Sequence, residues 1–155
     1  MASNLTTSAM PIHGNGGHAK VVRELVLTPT DGWIIAVGDN AARQQEVRRI
    51  PHIYAIGVHP SATVSPTAKL GPGTVVMAGA VVQADAIVGA HCILNTGCTL
   101  DHDCVIEDFA HIAPGVHLCG GVKVGEGALI GVGSCAVPRS QVTQWSIVPA
   151  GSVIK

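Results

Sequence analysis

The chain has 155 residues, a formal net charge of −1 and 12% charged residues. This length suits one domain, or one domain with a small appendage, and the charge balance leaves no basic surface for binding nucleic acid. Aromatic residues make up only 3% of the chain, so the core is expected to consist of small aliphatic side chains, as in a thin solenoid.

The N-terminal part of the chain, up to residue 57, does not share the pattern of the rest. Residues 1–9 are rich in Ser and Thr without periodicity and are expected to be a disordered tail. Residues 10–57 predict a reduced α/β unit of the Rossmann-like type, with a short strand, a glycine-rich turn, a helix, a buried strand at 33–37 and a charged helix at 41–49. Four residues are expected to form the apolar face of the first helix: Val21, Val22, Leu25 and Val26.

The glycine-rich turn of this unit is a candidate ligand site. It contains Gly14, Gly16, Gly17 and His18, between the predicted strand and the predicted helix. Such a turn can present backbone N–H groups and a helix N-terminus to a phosphate, but glycines at a tight turn are as often structural. Both interpretations stay open on these residues alone.

From residue 58 to the end, an aliphatic or small apolar residue returns at every sixth position. Helices repeat near 3.6 residues and strands repeat at 2, so a period of six indicates short strands separated by corners. Hexapeptide arrays are typical of a parallel β-helix, and three hexads per turn predict about five stacked turns. The repeat residues are Val58, Val64, Leu70, Val76, Val82, Val88, Leu94, Leu100, Ile106, Ile112, Leu118, Val124, Ile130, Ala136, Val142, Val148 and Ile154.

Two further rows accompany this repeat. Mostly small residues lie four places after each repeat residue, because a narrow prism has room for a large inward side chain only beside a small one. Cys92, Cys98 and Cys104 belong to this row and are expected to fill the core, with a thiolate metal site as the open alternative. Four glycines follow repeat residues directly and are expected to let the chain bend at the corners: Gly71, Gly89, Gly125 and Gly131.

The side chains best suited to catalysis lie between residues 95 and 121. His102 lies two positions after Leu100, so we expect it at a corner, where it can project into a groove. A carboxylate from Asp103 could hydrogen-bond one imidazole nitrogen, raise the basicity of the ring and leave the other nitrogen as a base. Neighbours on a straight strand point to opposite sides, so this pairing requires the corner. An exposed turn histidine is the alternative.

Three motifs occur in order along nearly the whole chain, and together they resemble those of the sialic acid O-acetyltransferase and nucleotide-aminosugar N-acetyltransferase family. They are Gly-Gly-His-Ala-Lys at 16–20, Ala-Val-Gly-Asp-Asn at 36–40 with Arg43 behind it, and the series Asn95, Asp101-His102-Asp103-Cys104 and His111. This resemblance implies a left-handed parallel β-helix acyltransferase domain at 58–155, preceded by a nucleotide-sugar-binding-like unit at 10–57.

The resemblance also implies roles for individual residues. His102 would be the general base and Asp103 would orient it. His111 would hydrogen-bond acetyl-CoA, and the Gly120 N–H would face the acetyl carbonyl as an oxyanion donor. The remaining roles are contact with the sugar for Asn95, contact with the nucleotide end of the substrate for the turn from Gly14 to His18, and contact with the CoA arm for Gly131 and Val132.

The function implied is transfer of an acetyl group from acetyl-CoA to the amine or hydroxyl of a sugar or nucleotide-sugar, by direct attack on the thioester and without a metal. By the same resemblance the site lies between subunits of a homotrimer. The five cysteines lack a CxxC spacing and no charged-then-apolar leader precedes them, so a cytoplasmic location is predicted. Gln83 and Asp85 interrupt the most apolar stretch, so no membrane span is predicted.

Two departures from the family pattern affect the substrate. The family carries a second strand ending in acidic residues that hold the nucleotide base, and here only residues 28–32 fill that place. The chain also ends at Lys155, short of the family's terminal loop beside the CoA adenosine. We therefore expect a shortened N-terminal domain and a truncated C-terminus. We also expect bare or differently tethered sugars to compete better as substrates here than in full-length relatives.

Two other functions are compatible with the same scaffold. A trimeric zinc enzyme resembling γ-class carbonic anhydrases would use three histidines, and His91, His111 and His117 are available. Their spacing is not that family's, and no acidic proton shuttle is evident. A non-catalytic β-helix scaffold is the third interpretation.

Overall fold

The computed structural model describes residues 12–28, 32–50 and 52–155, so the predicted tail at 1–9 lies outside the described residues. Within these ranges, no helix is long and apolar enough to span a bilayer. A small N-terminal unit comes first, with strands β1 (Ile12–His13), β2 (Val26–Thr28) and β3 (Ile34–Ile35) and helices α1 (Gly17–Val22) and α2 (Asn40–Arg49).

The rest of the chain is a coil of very short strands, one strand in each hexad. Its strands are β4 (Ile56–Val58), β5 (Thr63–Val64), β6 (Lys69–Leu70), β7 (Val75–Val76), β8 (Val81–Val82), β9 (Ile87–Val88), β10 (Ile93–Leu94), β11 (Thr99–Leu100), β12 (Val105–Ile106), β13 (His111–Ile112), β14 (His117–Leu118), β15 (Lys123–Val124), β16 (Leu129–Ile130), β17 (Cys135–Ala136), β18 (Gln141–Val142), β19 (Ile147–Val148) and β20 (Val153–Ile154).

Parallel pairing between turns of the coil confirms the predicted β-helix. Ile93 pairs with His111 and Thr99 pairs with His117, so equivalent residues are three hexads apart. Every third strand therefore joins the same sheet, so the coil supplies six, six and five strands to its three faces, and β2 brings the first of these sheets to seven strands. The chain passes from the seven-stranded sheet to the six-stranded sheet, then to the five-stranded sheet, and back to the first.

The core lies along the axis of this coil, where the two predicted rows meet. Large repeat residues such as Leu94 and Leu100 are fully buried beside small ones such as Cys98. Burial of the thiols raises the pKa of Cys92 and of Cys98 to about 12, so both are neutral at ordinary pH. The three cysteines in this row fill the core, as predicted.

The prediction for the four glycines after repeat residues is wrong in its physical reason. None of these four has a positive φ, which instead occurs two positions later, for example at Gly73 and Asp103. The four are needed because the next coil passes too close for a side chain. A Cβ on Gly71 would lie 2.5 Å from the Gly89 backbone, and one on Gly131 would lie 2.6 Å from the Ala150 nitrogen.

The N-terminal unit contains the predicted strand, helix, strand and helix in that order, together with one further strand, β2. Among the described residues, β1 and β3 form a parallel two-stranded sheet, whereas β2 pairs antiparallel with β4 and is the seventh strand of the seven-stranded sheet. Helix α1 ends at Val22, so the predicted apolar face is cut short: Val26 begins β2 and is 60% exposed. Helix α2 begins as predicted, because the Asp39 side chain accepts a hydrogen bond from the Ala42 N–H at 2.8 Å.

This unit packs on the outer face of the seven-stranded sheet. Val75 and Ile93 point outward from that sheet and are nevertheless buried, because Ala19 and Val22 of α1 belong to the same apolar cluster. The other end of the unit is fastened by α2, whose Asn40 side chain donates to the Gly127 carbonyl at 3.0 Å. The unit therefore lies directly over the coils that carry the candidate site.

Candidate active site

His102 and Asp103 form the predicted pair at a corner of the β-helix. Nδ1 of His102 lies 2.7 Å from Oδ2 of Asp103, and both side chains are exposed. Asp103 has φ +59°, a left-handed backbone conformation that turns its side chain to the same side as its neighbour's. Asp101 stabilises the turn by accepting the His102 backbone N–H at 2.8 Å.

Two carboxylates raise the pKa of His102 above its ordinary value. The larger cause is the hydrogen bond to Asp103, and the charge of Asp101 adds to it. When neutral, the imidazole keeps its proton on Nδ1 beside Asp103, which leaves the Nε2 lone pair free. This nitrogen is the basic atom of the corner.

Gly120 lies next to that nitrogen, one turn of the coil further on. A Cβ on Gly120 would be 2.6 Å from Nε2 of His102, so the ring occupies the space that a side chain would need. Among the described residues, the Gly120 N–H has no hydrogen-bond acceptor, whereas the next residue, Gly121, donates to the His102 carbonyl at 2.9 Å. The corner thus combines a base and a free N–H donor.

Asn95 and His111 form a second pair, on the seven-stranded sheet. The Asn95 amide nitrogen lies 3.0 Å from Nε2 of His111, and its Oδ1 accepts the Thr96 N–H at 2.8 Å. Because the amide oxygen is already used, the amide nitrogen must donate to His111 Nε2. The neutral His111 ring therefore carries its proton on Nδ1.

His111 is held neutral by its surroundings. Burial, the charge of Arg43 and the neighbouring His18, in that order of importance, lower its pKa to about 4, and the Gly38 backbone acts in the opposite direction. The N-terminal unit supplies all three of these neighbours. Its placement on the sheet therefore determines the state of this histidine.

The glycine-rich turn lies close to this second pair. Gly14 has φ +128° and a Cβ there would lie 2.7 Å from the Ala36 carbonyl oxygen, so this glycine is structural. Gly16 and Gly17 face open space. His18 packs against Gly38, and burial lowers its pKa to about 4; its Nε2 is buried and has no partner among the described residues.

Gly131 and Val132 lie on the same corner as Asn95, two turns further along the coil. Gly131 is in contact with the backbone of the next coil, and Val132 is 55% exposed. This corner joins the seven-stranded sheet to the six-stranded sheet. An extended ligand that follows the corner would pass both residues before it reaches Asn95 and His111.

The two groups do not meet within one chain. His102 lies at the corner between the six-stranded and five-stranded sheets, whereas Asn95 and His111 belong to the seven-stranded sheet and its edge. In a three-sided coil, the corner between two faces lies opposite the third face. The predicted site residues are therefore divided into a base corner (His102, Asp103 and Gly120) and an acceptor face (Asn95, His111, Gly38 and His18).

The contact network of Arg43 was not predicted from the sequence, in which Arg43 is only part of a motif. Arg43 is 1% exposed and donates to backbone carbonyls of the β-helix, including that of Phe109 at 2.7 Å. The available signal was the position of a charged residue one turn after the Asp39 cap. Its partner is 66 residues away, however, and no local pattern indicates such a contact.

The three histidines considered for zinc lie in different surroundings. His91 is buried at a corner and stacks on Phe109, with ring centroids 5.2 Å apart, while His117 lies on the six-stranded sheet with Nδ1 2.9 Å from the Thr99 hydroxyl. Over residues 12–28, 32–50 and 52–155, no group of three or more His, Cys, Asp or Glu side chains is arranged to hold a metal ion.

Comparisons with known proteins show which proteins this chain resembles. Residues 67–102 match the bacterial transferase hexapeptide family, described as six repeats. The structure is similar to the acetyltransferase domain of PglB from Neisseria gonorrhoeae FA1090, with a TM-score of 0.88 and 33% identity, covering 94% of this chain and 90% of that one. PerB from Caulobacter crescentus, solved in complex with CoA and GDP-perosamine, has a TM-score of 0.86 and 34% identity, covering 96% of this chain and 89% of that one.

The PglB domain was also solved in complex with acetyl coenzyme A, and that structure has a TM-score of 0.82 and 31% identity, covering 94% of this chain and 97% of that one. No curated protein matches the chain. The coil and these similarities define the class of protein, which is a hexapeptide-repeat acetyltransferase. Within that class, the chain belongs to the family of sugar acetyltransferases that contains the PglB acetyltransferase domain and PerB, as its motifs predicted.

Proposed function

We propose that this protein transfers the acetyl group of acetyl-CoA to the amino group of a nucleotide-linked sugar, with His102 as the general base. The observation that carries the assignment of the base is the contact of His102 Nδ1 with Asp103 at 2.7 Å, which leaves Nε2 free beside Gly120. The substrate class rests on the similarity to perosamine N-acetyltransferase, whose product is an amide. Transfer to a hydroxyl is the second candidate, because the sequence motifs are shared with O-acetyltransferases.

In the proposed reaction, Nε2 of His102 accepts the proton that the acceptor amine loses as its nitrogen attacks the thioester carbonyl. Asp103 holds the ring in the tautomer that makes this possible and stabilises the imidazolium that forms. Positioned proton transfer of this kind contributes about 10²- to 10⁴-fold to a rate. The thiolate of CoA leaves as the tetrahedral centre collapses, and no covalent intermediate on the protein is required.

The Gly120 N–H is proposed as the oxyanion donor. It lies beside the base and has no acceptor of its own among the described residues, so it is free to donate to the carbonyl oxygen as negative charge develops there. A preorganised donor of this kind contributes about 3 kcal/mol to transition-state stabilisation. The base would then act on the amine proton while the donor acts on the carbonyl oxygen of the same reacting centre.

The complete site is proposed to form between two copies of the chain in a homotrimer. The base corner and the acceptor face lie on opposite parts of one β-helix, so a neighbouring β-helix must supply one of them. On the acceptor face, Asn95 would contact the sugar and His111 the acetyl-CoA near its thioester. Gly131 and Val132, on the same corner as Asn95, would line the CoA arm.

The N-terminal unit, residues 10–57, is proposed to hold the nucleotide end of the acceptor, and residues 58–155 to form a left-handed acyltransferase coil. The open turn at Gly16 and Gly17 and the unpartnered Nε2 of His18 suit a polar ligand beside the acceptor face. In this proposal the unit keeps the parallel β1 and β3 strands of a Rossmann-like fold and contributes β2 to the coil.

Acetyl transfer to a panel of aminosugars, with and without an attached nucleotide, tests the substrate class. We expect turnover of a nucleotide-linked aminosugar, measured as release of the CoA thiol, and no turnover of the matched sugar that carries a hydroxyl in place of the amine. Because residues 28–32 replace the family's acidic strand, bare aminosugars are also expected to compete. A strict requirement for the nucleotide would contradict that last expectation, and transfer only to hydroxyls would overturn the amine assignment.

Replacing Asp103 with asparagine is expected to shift the pH profile of kcat/KM. The carboxylate raises the pKa of His102, so the rate of the parent protein falls as pH drops through this raised value. Without the charge, the acid limb moves to lower pH, while the plateau falls by about tenfold or more because the tautomer is no longer held. Asp101→Asn is the matched control, with a smaller shift and an unchanged plateau. An acid limb unmoved in Asp103→Asn would argue against His102 as the base.

A further inference from the structure

Arg43 is a buried cation between the N-terminal unit and the β-helix. It lies on α2 and is 1% exposed. Its Nε donates to the His91 carbonyl at 2.8 Å and its Nη2 to the Phe109 carbonyl at 2.7 Å. These two carbonyls belong to the same corner position in successive coils, so one guanidinium joins two turns of the β-helix.

The remaining donors of Arg43 point back into the N-terminal unit. Nη1 donates to the Val37 carbonyl at 3.0 Å and to the Gly38 carbonyl at 3.2 Å, and Nη2 donates to the Asn40 Oδ1 at 2.8 Å. All of these acceptors are neutral oxygens. A buried charge without a hydrogen-bonded carboxylate is costly, and here the planar fork of the guanidinium satisfies its donors entirely with carbonyl and amide oxygens.

The Gly38 carbonyl links Arg43 to the acceptor face. His111 begins β13 two residues after Phe109, whose carbonyl accepts from Arg43, and Nε2 of His111 accepts from Asn95 at 3.0 Å. Arg43 therefore joins the Gly38 carbonyl to two backbone carbonyls of the coils, that of His91, four residues before Asn95, and that of Phe109, two residues before His111. Without the guanidinium, the segment that follows β3 would lose its hydrogen-bonded connection to the coils next to His111.

We propose that Arg43 is a positioning residue for acetyl transfer, which ties the segment after β3 to two coils of the β-helix and thereby holds the N-terminal unit in place beside His111. The inference rests on the proposed function, because His111 and Asn95 are the residues proposed to contact acetyl-CoA and the sugar. Arg43 touches neither ligand. It acts through the orientation of His111.

The charge of Arg43 has a second effect on the same histidine. The titratable groups facing His111 are Arg43 from α2 and His18 from α1, and both lower its pKa, after the larger effect of burial. Asp39, at the start of α2, acts on Arg43 in the opposite sense, by favouring the charged guanidinium. His111 is thus kept in the neutral form whose Nε2 accepts a hydrogen bond.

Two variants separate the fork from the charge. Arg43→Gln removes the charge and most donors, and Arg43→Lys keeps the charge but not the fork; Arg48→Gln, on the exposed last turn of α2, is the control. The His111 ring is titrated by NMR in full-length protein with labelled histidine, assigned with His111→Gln. Kinetics are measured with acetyl-CoA and the best aminosugar acceptor.

In Arg43→Gln, the pKa of His111 is expected to rise from about 4 by about one unit or more. In Arg43→Lys it is expected to stay low. Both variants should raise the KM values for acetyl-CoA and for the aminosugar by about tenfold or more, because the acceptor face is misplaced. Both should keep the acid limb of the pH profile of kcat/KM, which reports the titration of His102. The control should match the parent protein.

Parental KM values in both variants would overturn the proposal, as would a lowered thermal midpoint with unchanged kinetics and an unchanged His111 titration. If Arg43→Gln does not fold, Arg43→Lys carries the test, since loss of the fork alone predicts the rise in KM. The titration needs no turnover. A protein that lacks acetyl transfer but shows the His111 shift would therefore refute the proposed function and leave the positioning of His111 supported.

Discussion

Replacing His102 with alanine is expected to lower kcat by about 10²- to 10⁴-fold, the usual contribution of a positioned general base. The side chain is exposed at a corner and makes its side-chain hydrogen bond to Asp103, so its removal leaves the apolar core intact. The KM for acetyl-CoA should change little, because the residues proposed to bind it lie on the acceptor face. Initial rates of CoA thiol release measure both quantities.

His117→Ala is the matched control for this variant, because it removes an exposed imidazole from the neighbouring six-stranded sheet. It should keep the parental rate. Far-UV circular dichroism and the thermal midpoint should be unchanged in both variants. A residual rate in His102→Ala above one tenth of the parental value would exclude this histidine as the base. Equal background rates in the parent protein and in His102→Ala would exclude catalysis altogether.

Replacing Gly120 with alanine is expected to reduce kcat by about 10²-fold or more, the usual consequence of misplacing a catalytic group by about 1 Å. The added methyl group would lie 2.6 Å from Nε2 of His102, so the ring must leave its position. The same position in other hexads carries Ala84, Ala90 or Val132, which shows that the backbone there accepts a side chain. The clash is therefore specific to the histidine ring.

A double variant isolates this effect. In a His102→Ala background the ring is absent, so Gly120→Ala should cost neither stability nor the remaining activity. Urea unfolding and initial rates for the four proteins of this cycle give the coupling between the two positions. Additive losses in rate would contradict the close approach of His102 to Gly120.

The sequence predicts the β-helix well because the six-residue period of the apolar residues corresponds to one side of the three-sided coil. A residue repeated at every sixth position leads to pairing of Ile93 with His111 once three hexads make a turn. The role of Gly71 and its equivalents was predicted wrongly, because close packing between turns depends on the distance to the next coil. The pairing of β2 with β4 was also missed, because no local sequence pattern specifies a strand partner so far along the chain.

Within the candidate site, the sequence predicted a contact between neighbours in the chain and missed the contacts between distant residues. His102 and Asp103 are adjacent, and a corner is enough to bring them together. The contact of Asn95 with His111 joins two residues one turn apart, and that of Arg43 with Phe109 joins two folding units. The trimer, the cytoplasmic location and the boundary between the two domains stay predictions.

The most direct test is complementation between two inactive proteins, His102→Ala and the double variant Asn95→Ala/His111→Ala, carried on different tags and co-expressed. If the base corner of one chain meets the acceptor face of another, mixed assemblies regain intact sites. In a trimer that contains both variants, one interface combines an intact base corner with an intact acceptor face, so about a third of the sites in mixed trimers would be restored. The account predicts this recovery in assemblies purified through both tags, and activity no greater than that of the two separate variants would contradict it.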